Sequence, residues 1–417
     1  METLLVFADF DFIDSPALIG ELGYESLRGS DSYSFRFDES WLRAHADLQL
    51  SADLNNYPGW QYTRPDRDIF GCFSDALPDR WGRTLLTRRE QILAKEEGRT
   101  VKRLNSFDFL KGIDDFSRMG GLRFKRSAEE DYINSDSSLT IPPITDIRSL
   151  EEACSEIERS ESDGTLPEKK WIQQLVHPGT SLGGARPKAG VRDENGRLHI
   201  AKFPSRKDDY DVGLWEHHSH LLAKEAGISA AQTRILPSNG DYHILLSKRF
   251  DRSDNGCRTH FASAMTLLGL SDGCDALSGN GYLDIVDFIL QGCCNVKENL
   301  MELFRRVAFN IAIGNTDDHF RNHGFLLTSQ GWTLAPAYDL NPTLNSHQSL
   351  LINSTTNERS LKILEDSAKE YMLSPSEADA IIKEVTGAVK GWKSLATRLN
   401  IQKREIEMFE PTYNLCL

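Results

Sequence analysis

One polar loop constrains this chain more than any other feature. Gly314-Asn-Thr-Asp317-Asp-His319-Phe320-Arg321-Asn322-His-Gly324 follows a long apolar helical run near 297–313 and leads into the strand-like Phe325-Leu-Leu327. Asp317 and Asn322 stand five residues apart, and Asp339 lies 22 residues beyond Asp317, in Ala335-Pro-Ala-Tyr338-Asp339-Leu-Asn-Pro-Thr343. Protein kinases place a base Asp and a metal-binding Asn at this five-residue spacing, with a second metal carboxylate on a later turn. The spacing has a physical reason. The loop must offer a carboxylate to an acceptor hydroxyl and, one turn further on, a carbonyl oxygen to Mg²⁺. That ion takes one or two protein oxygens and fills its remaining positions with nucleotide phosphates and water. Asn322 and Asp339 would form that protein pair.

Three upstream features fall in the order a nucleotide site needs. Thr180-Ser181-Leu-Gly183-Gly184-Ala185-Arg186-Pro187-Lys188 is a short Gly-containing loop whose N–H groups can cradle phosphates. Leu198-His-Ile-Ala-Lys202 reads as a strand with one inward lysine, suited to the α- and β-phosphates. Glu216 follows on a helix, Trp215 to Ala226, and is placed to pair with Lys202. Each element has a bland reading: chance spacing, a turn aspartate, a surface lysine, a hairpin glycine pair. Their common order favours the functional one.

The surrounding pattern gives a two-lobed α+β fold of the protein-kinase type. Residues 1–125 form a mixed module, with strand-like Tyr33-Ser-Phe-Arg-Phe-Asp38 and a helix over Asp79–Arg89. Polar residues 126–143 read as a linker. A β-rich lobe spans 146–250, with strands at 187–193, 198–203 and 241–248, and a helical lobe spans 251–417. The seven cysteines are scattered, odd in number and without a C-x-x-C pair, which points to a reducing cytoplasm. The N-terminus has no basic n-region, and no apolar run is long enough to span a membrane. A net charge of −14 disfavours strong direct binding to nucleic-acid phosphates. His217, His218 and His220 invite a metal reading, but they lie on an amphipathic helix without nearby cysteine.

At these residues the chain resembles the HipA family of toxin-antitoxin Ser/Thr protein kinases. The matching stretches are Ser181–Lys188, Ile200–Ser205, Arg249-Phe-Asp-Arg252, Gly314–Gly324 and Ala337-Tyr-Asp-Leu340. Leu77–Arg83 and Phe107–Phe124 resemble the family's first subdomain. The resemblance implies ATP and Mg²⁺ as cofactors, Asp317 as general base, and Asn322 and Asp339 as metal ligands. It implies nucleotide contacts from Gly183, Gly184, Ala185, Arg186, Pro187, Lys188, Lys202, Lys248, Arg249, Phe250, His319, Phe320, Arg321, Asn322 and Tyr338, with Glu216 in support. It also implies inactivating autophosphorylation at Ser181. The implied partners are a dimeric helix-turn-helix antitoxin of the HipB type, operator DNA reached only through it, and a protein substrate. In the best-known members that substrate is an aminoacyl-tRNA synthetase, the glutamyl enzyme. Two departures stand out: Lys248 where the hinge often begins with Glu, and Asp318 where some members have Gly. Two rivals remain open, a small-molecule kinase on a related fold and a catalytically silent co-repressor module.

Overall fold

The structure is a computed structural model and describes residues 1–27, 30–135, 141–176, 184 and 186–415. By packing, the chain divides into two units. One comprises Met1–Lys207 with Asp251–Ala262, the other Asp208–Phe250 with Ser263–Leu417. The class is α+β, as the alternation of strand-like and helical runs predicts.

The first unit is built on an antiparallel sheet. Its strands are β1 (Glu2–Ala8), β2 (Ala17–Leu27), β3 (Ser30–Phe37), β4 (Trp60–Tyr62) and β5 (Leu122–Lys125), in the order β4-β3-β2-β1-β5. Leu4, Val6 and Ala8 alternate into the core, the period-2 pattern of a half-buried strand. The helix expected over Asp79–Arg89 runs further, Arg80–Glu97. Asp79 caps its start by accepting from the Gly82 N–H at 2.6 Å, and nothing breaks it before Gly98 takes the left-handed conformation.

Two of the sequence stretches meet in this unit as a buried clasp. Arg252 donates to the carbonyls of Gly120 and Arg118 and to Asp251, whose carboxylate accepts the Gly120 N–H at 2.8 Å. Arg118 donates in turn to the carbonyls of Ala76, Leu110 and Ile113. Gly120 has φ +71, and a Cβ there would lie 2.9 Å from the Phe261 nitrogen, so only glycine fits.

In the second unit the helix Val212–Glu225 packs with the hairpin Thr233–Pro237 and His243–Lys248. The strand at 233–237 is absent from the sequence reading, because it ends in Pro237 and alternates weakly. The three histidines of the helix each have a local partner. His217 meets the Thr233 hydroxyl at 2.8 Å, His218 the Trp392 carbonyl at 2.9 Å and His220 the Ala231 carbonyl at 3.1 Å. The helix Val296–Ile313 is buried almost all round over its last three turns and packs against Pro375–Val389. Among the described residues no helix is long and apolar enough to cross a membrane.

Candidate functional site

The loop begins where the central helix is forced to stop. Gly314 closes Val296–Ile313 with φ +73, and its N–H returns to the helix carbonyls. A Cβ at Gly314 would lie 2.3 Å from Thr412 Cγ2 and 3.0 Å from an Arg359 nitrogen. Arg359 itself caps the helix end, donating to the carbonyls of Ile311 and Thr412. The chain therefore leaves the helix in one direction only.

Asp318 anchors the loop from within. Its buried carboxylate accepts from Tyr282 Oη at 2.7 Å, Asn310 Nδ2 at 2.7 Å and His323 Nε2 at 2.9 Å. Burial alone would raise its pKa, but His323 and the hydrogen bonds outweigh burial and leave it below the ordinary value. The neighbouring Asp317 is exposed, and among the described residues its carboxylate accepts no hydrogen bond. Adjacent residues thus divide the labour: Asp318 holds the loop and Asp317 is presented. Asn322 turns back so that Nδ2 donates to the Asp317 carbonyl at 3.0 Å, which leaves Oδ1 as the outward end of the amide. His319 is half-buried, and its Nδ1 has no hydrogen-bond partner among the described residues. Phe320 is buried, and Arg321 pairs with Asp272 at 3.0 Å.

Asp339 is held by contacts on the chain just before it. Arg306 donates to the Ala335 carbonyl at 2.8 Å. Ala337 bridges Ser229 and Ala231, and the Tyr338 hydroxyl donates to the Arg321 carbonyl. Asp339 has φ +59, in the left-handed region that costs a non-glycine residue energy and is concentrated at working sites. Asn341 Nδ2 donates to its carboxylate at 3.2 Å. The Asp317 pKa is raised, first by desolvation; His319 opposes the rise, while Asp339 and Asp318 add to it. The Asp339 charge is felt at Asp317, and an aspartate carboxylate and an asparagine amide oxygen are the hard donors that Mg²⁺ takes.

The other predicted residues are divided between the two units. In the second unit Phe250 packs on Tyr338 with ring centroids 5.6 Å apart. The Lys248 N–H donates to the Gln232 carbonyl at 2.8 Å, and Arg249 is buried. Glu216 is buried 3.9 Å from His220 Nε2. In the first unit Lys188 and Lys202 face each other across the hairpin Lys188–Arg192 and Leu198–Lys202, so both side chains emerge on one face. Asp79 neutralises Lys188 at 2.9 Å. Burial raises the Asp79 carboxyl, and Lys188 works against that rise. Arg186 Nε donates to the Phe203 carbonyl, and the Phe203 N–H to the Pro187 carbonyl. The Gly184 carbonyl accepts from Trp81 N–H at 3.4 Å. Ser181, Gly183 and Ala185 lie outside the described residues.

Sequence reasoning missed Asp318, Tyr282 and Asn310 as supports of the loop. Its only local signal was the second Asp of the Asp-Asp pair with a histidine five residues on.

The architecture is α+β, of a kinase-like fold. The chain matches the model for the HipA-like C-terminal domain over residues 180–392 and that for the HipA N-terminal domain over 16–110. It is 22% identical over 352 residues to the serine/threonine-protein kinase toxin HipA of Shewanella oneidensis, covering 78% of this chain and 72% of that one. It is 26% identical over 185 residues to a putative kinase of Haemophilus influenzae, covering 40% of this chain and 54% of that one. Among solved structures it is similar to HipA from the Shewanella oneidensis MR-1 complex of HipA, HipB and operator DNA. The TM-score is 0.64 at 16% identity, over 99% of this chain and 95% of that one. The chain belongs to the HipA family, and it is a kinase.

Proposed function

We propose that this kinase is the toxin of a HipA/HipB-like pair, transferring the γ-phosphoryl group of ATP to a Ser or Thr hydroxyl of a cellular protein and so arresting growth. The observation that carries the reading is the division of labour at Asp317 and Asp318: one carboxylate anchored by three donors, the next presented without a hydrogen bond of its own. Asp317 orients the acceptor hydroxyl and takes its proton. Its raised pKa favours proton acceptance. Asn322 and Asp339 would hold Mg²⁺, which supplies neutralisation of the phosphate charge. Lys202 and the loop from Gly183 to Lys188 hold the phosphates, and Lys248, Arg249, Phe250, His319 and Tyr338 border the nucleotide. Residues 1–125, 146–250 and 251–417 serve as first subdomain, nucleotide lobe and catalytic lobe. Ser181 is the site of self-inactivation.

The partner is a helix-turn-helix antitoxin dimer, which supplies the DNA contact that a chain of net charge −14 is poorly suited to make alone. The target is a cytoplasmic protein such as an aminoacyl-tRNA synthetase. Regulated expression tests the reading. Wild type should arrest growth and Asp317→Ala should not; equal arrest by both would favour a co-repressor without catalysis. Labelling of metabolites alone in a lysate given [γ-³²P]ATP would favour a small-molecule kinase.

A further inference from the structure

Asn341, two residues after Asp339, has neither of the usual reasons for an asparagine in a loop. Asparagine tolerates the left-handed backbone, and its side-chain oxygen can accept from the backbone two residues on and so close an Asx turn. Asn341 is not left-handed; the left-handed residue here is Asp339, at φ +59. Nor does Asn341 close a turn, because its Oδ1 is buried and has no hydrogen-bond partner among the described residues. Pro342 follows it and favours extended backbone at Asn341.

Instead the side chain reaches back. Nδ2 donates to Asp339 Oδ1 at 3.2 Å. The reversed amide would set its own oxygen against a carboxylate oxygen, so the donor end is the one that faces Asp339. The cost of an unmet Oδ1 is set against this contact. A leucine of similar volume would avoid that cost and lose the contact.

The backbone on either side of Asn341 is fixed. Leu340 and Pro342 are buried. The Thr343 N–H and hydroxyl both donate to the Gly314 carbonyl, at 2.9 and 3.0 Å, and the same hydroxyl meets that of Thr316 at 2.6 Å. The Thr343 carbonyl accepts from the Thr412 hydroxyl at 3.0 Å. Asn341 is therefore tied, two residues on, to the start of the loop that presents Asp317.

We propose that Asn341 is a positioning residue for the metal carboxylate: its amide sets the rotation of the Asp339 side chain before a divalent cation arrives. The inference rests on the reading of Asp339 as a metal ligand. Ligating carboxylates are commonly held by a hydrogen bond from outside the metal's own ligand set, which fixes their orientation. The tie through Thr343 to Gly314 keeps this hold in register with Asp317 and Asn322 on the same loop. A lysine or arginine in place of Asn341 would also hold the carboxylate, but its charge would oppose the cation. The neutral amide holds without that opposition.

Metal binding tests this on the full chain saturated with a non-hydrolysable ATP analogue, with Mn²⁺ as the probe and water proton relaxation as the readout of protein-bound ion. Asn341→Leu and Asn341→Ala should each raise the Mn²⁺ concentration for half-saturation about tenfold, as loss of such a hydrogen bond does at other metal sites. Asn341→Leu should keep the wild-type Tm or exceed it, since it removes the unmet oxygen. A merely structural asparagine would show the reverse, a lower Tm with unchanged Mn²⁺ binding. In phosphotransfer the Mg²⁺ requirement should rise about tenfold while kcat at saturating Mg²⁺ stays within about twofold of wild type. Wild-type Mn²⁺ affinity in both Asn341 variants, with binding lost in Asp339→Asn, overturns this inference alone. Mn²⁺ binding by Asp339→Asn as tight as by wild type overturns the reading of Asp339 beneath it.

Discussion

Replacing Asp318 by Asn tests the support of the candidate catalytic loop. The carboxylate accepts three hydrogen bonds in a buried site, from Tyr282, Asn310 and His323. All three donors converge on one oxygen, Oδ2, so an asparagine either keeps its amide oxygen there and weakens all three bonds by losing the charge, or turns its NH₂ onto the three donors. Hydrogen bonds to a charged group contribute about 1.5–3 kcal/mol each, and an unmet buried donor costs about 1–3 kcal/mol. The variant should lose about 2–4 kcal/mol. For a unit such as Asp208–Phe250 with Ser263–Leu417, each kcal/mol moves Tm by about 2–4 °C. Scanning calorimetry should then show a fall of roughly 4–16 °C, with phosphotransfer reduced as Asp317 loses its fixed position. The pH dependence carries its own sign. The Asp318 carboxyl sits below its ordinary value of 3.8, so its stabilisation is complete above that value. It is lost only as pH falls through the lower folded value. The advantage of wild type should be undiminished at about pH 5. A Tm change under about 2 °C, or an advantage already gone at that pH, would refute the assignment of Asp318 as anchor.

Other perturbations read different parts of the structure. Gly314→Ala must adopt φ +73 and displace Thr412 and Arg359. It should cost about 2–4 kcal/mol in urea denaturation. His260 stacks on Phe10 at 4.7 Å, and burial pushes its pKa down to about 3. The unfolded chain binds a proton there below about pH 6.5 and the folded chain does not, so stability falls as pH drops, by up to about 1.4 kcal/mol per pH unit. His260→Gln should lose less stability than wild type between about pH 7 and pH 5. Cys257 is exposed, whereas Cys72 and Cys154 are buried with thiol pKa values raised by desolvation. Iodoacetamide followed by mass spectrometry should label Cys257 readily and the buried pair only after denaturation.

The candidate site of this chain is legible in sequence where its spacing is local. Asp317 and Asn322 share a short loop, and the Asn322 side chain closes back on the Asp317 backbone. The order of strands and helices reads well for the same reason, since period-2 runs such as Tyr33–Phe37 and capped helices such as Arg80–Glu97 announce themselves. The features that are not legible depend on distant partners. Asp318 looks like a duplicate of Asp317 until Tyr282 and Asn310, from two separate helices, converge on it. Arg118-Met-Gly-Gly and Asp251-Arg252 can be recognised as motifs, but only the fold reveals them as one clasp closed across 131 to 134 residues of chain. The left-handed backbone at Asp339 is likewise invisible in sequence, because aspartate does not require it.

The most direct test of the central claim is phosphoproteomics after brief expression, comparing wild type with Asp339→Asn. Wild type should place new phosphoserine or phosphothreonine on one or a few cellular proteins and phosphate on its own Ser181, and the variant should do neither. Identical phosphoproteomes from the two chains would contradict the assignment of Asp317, Asn322 and Asp339 as a phosphotransfer centre.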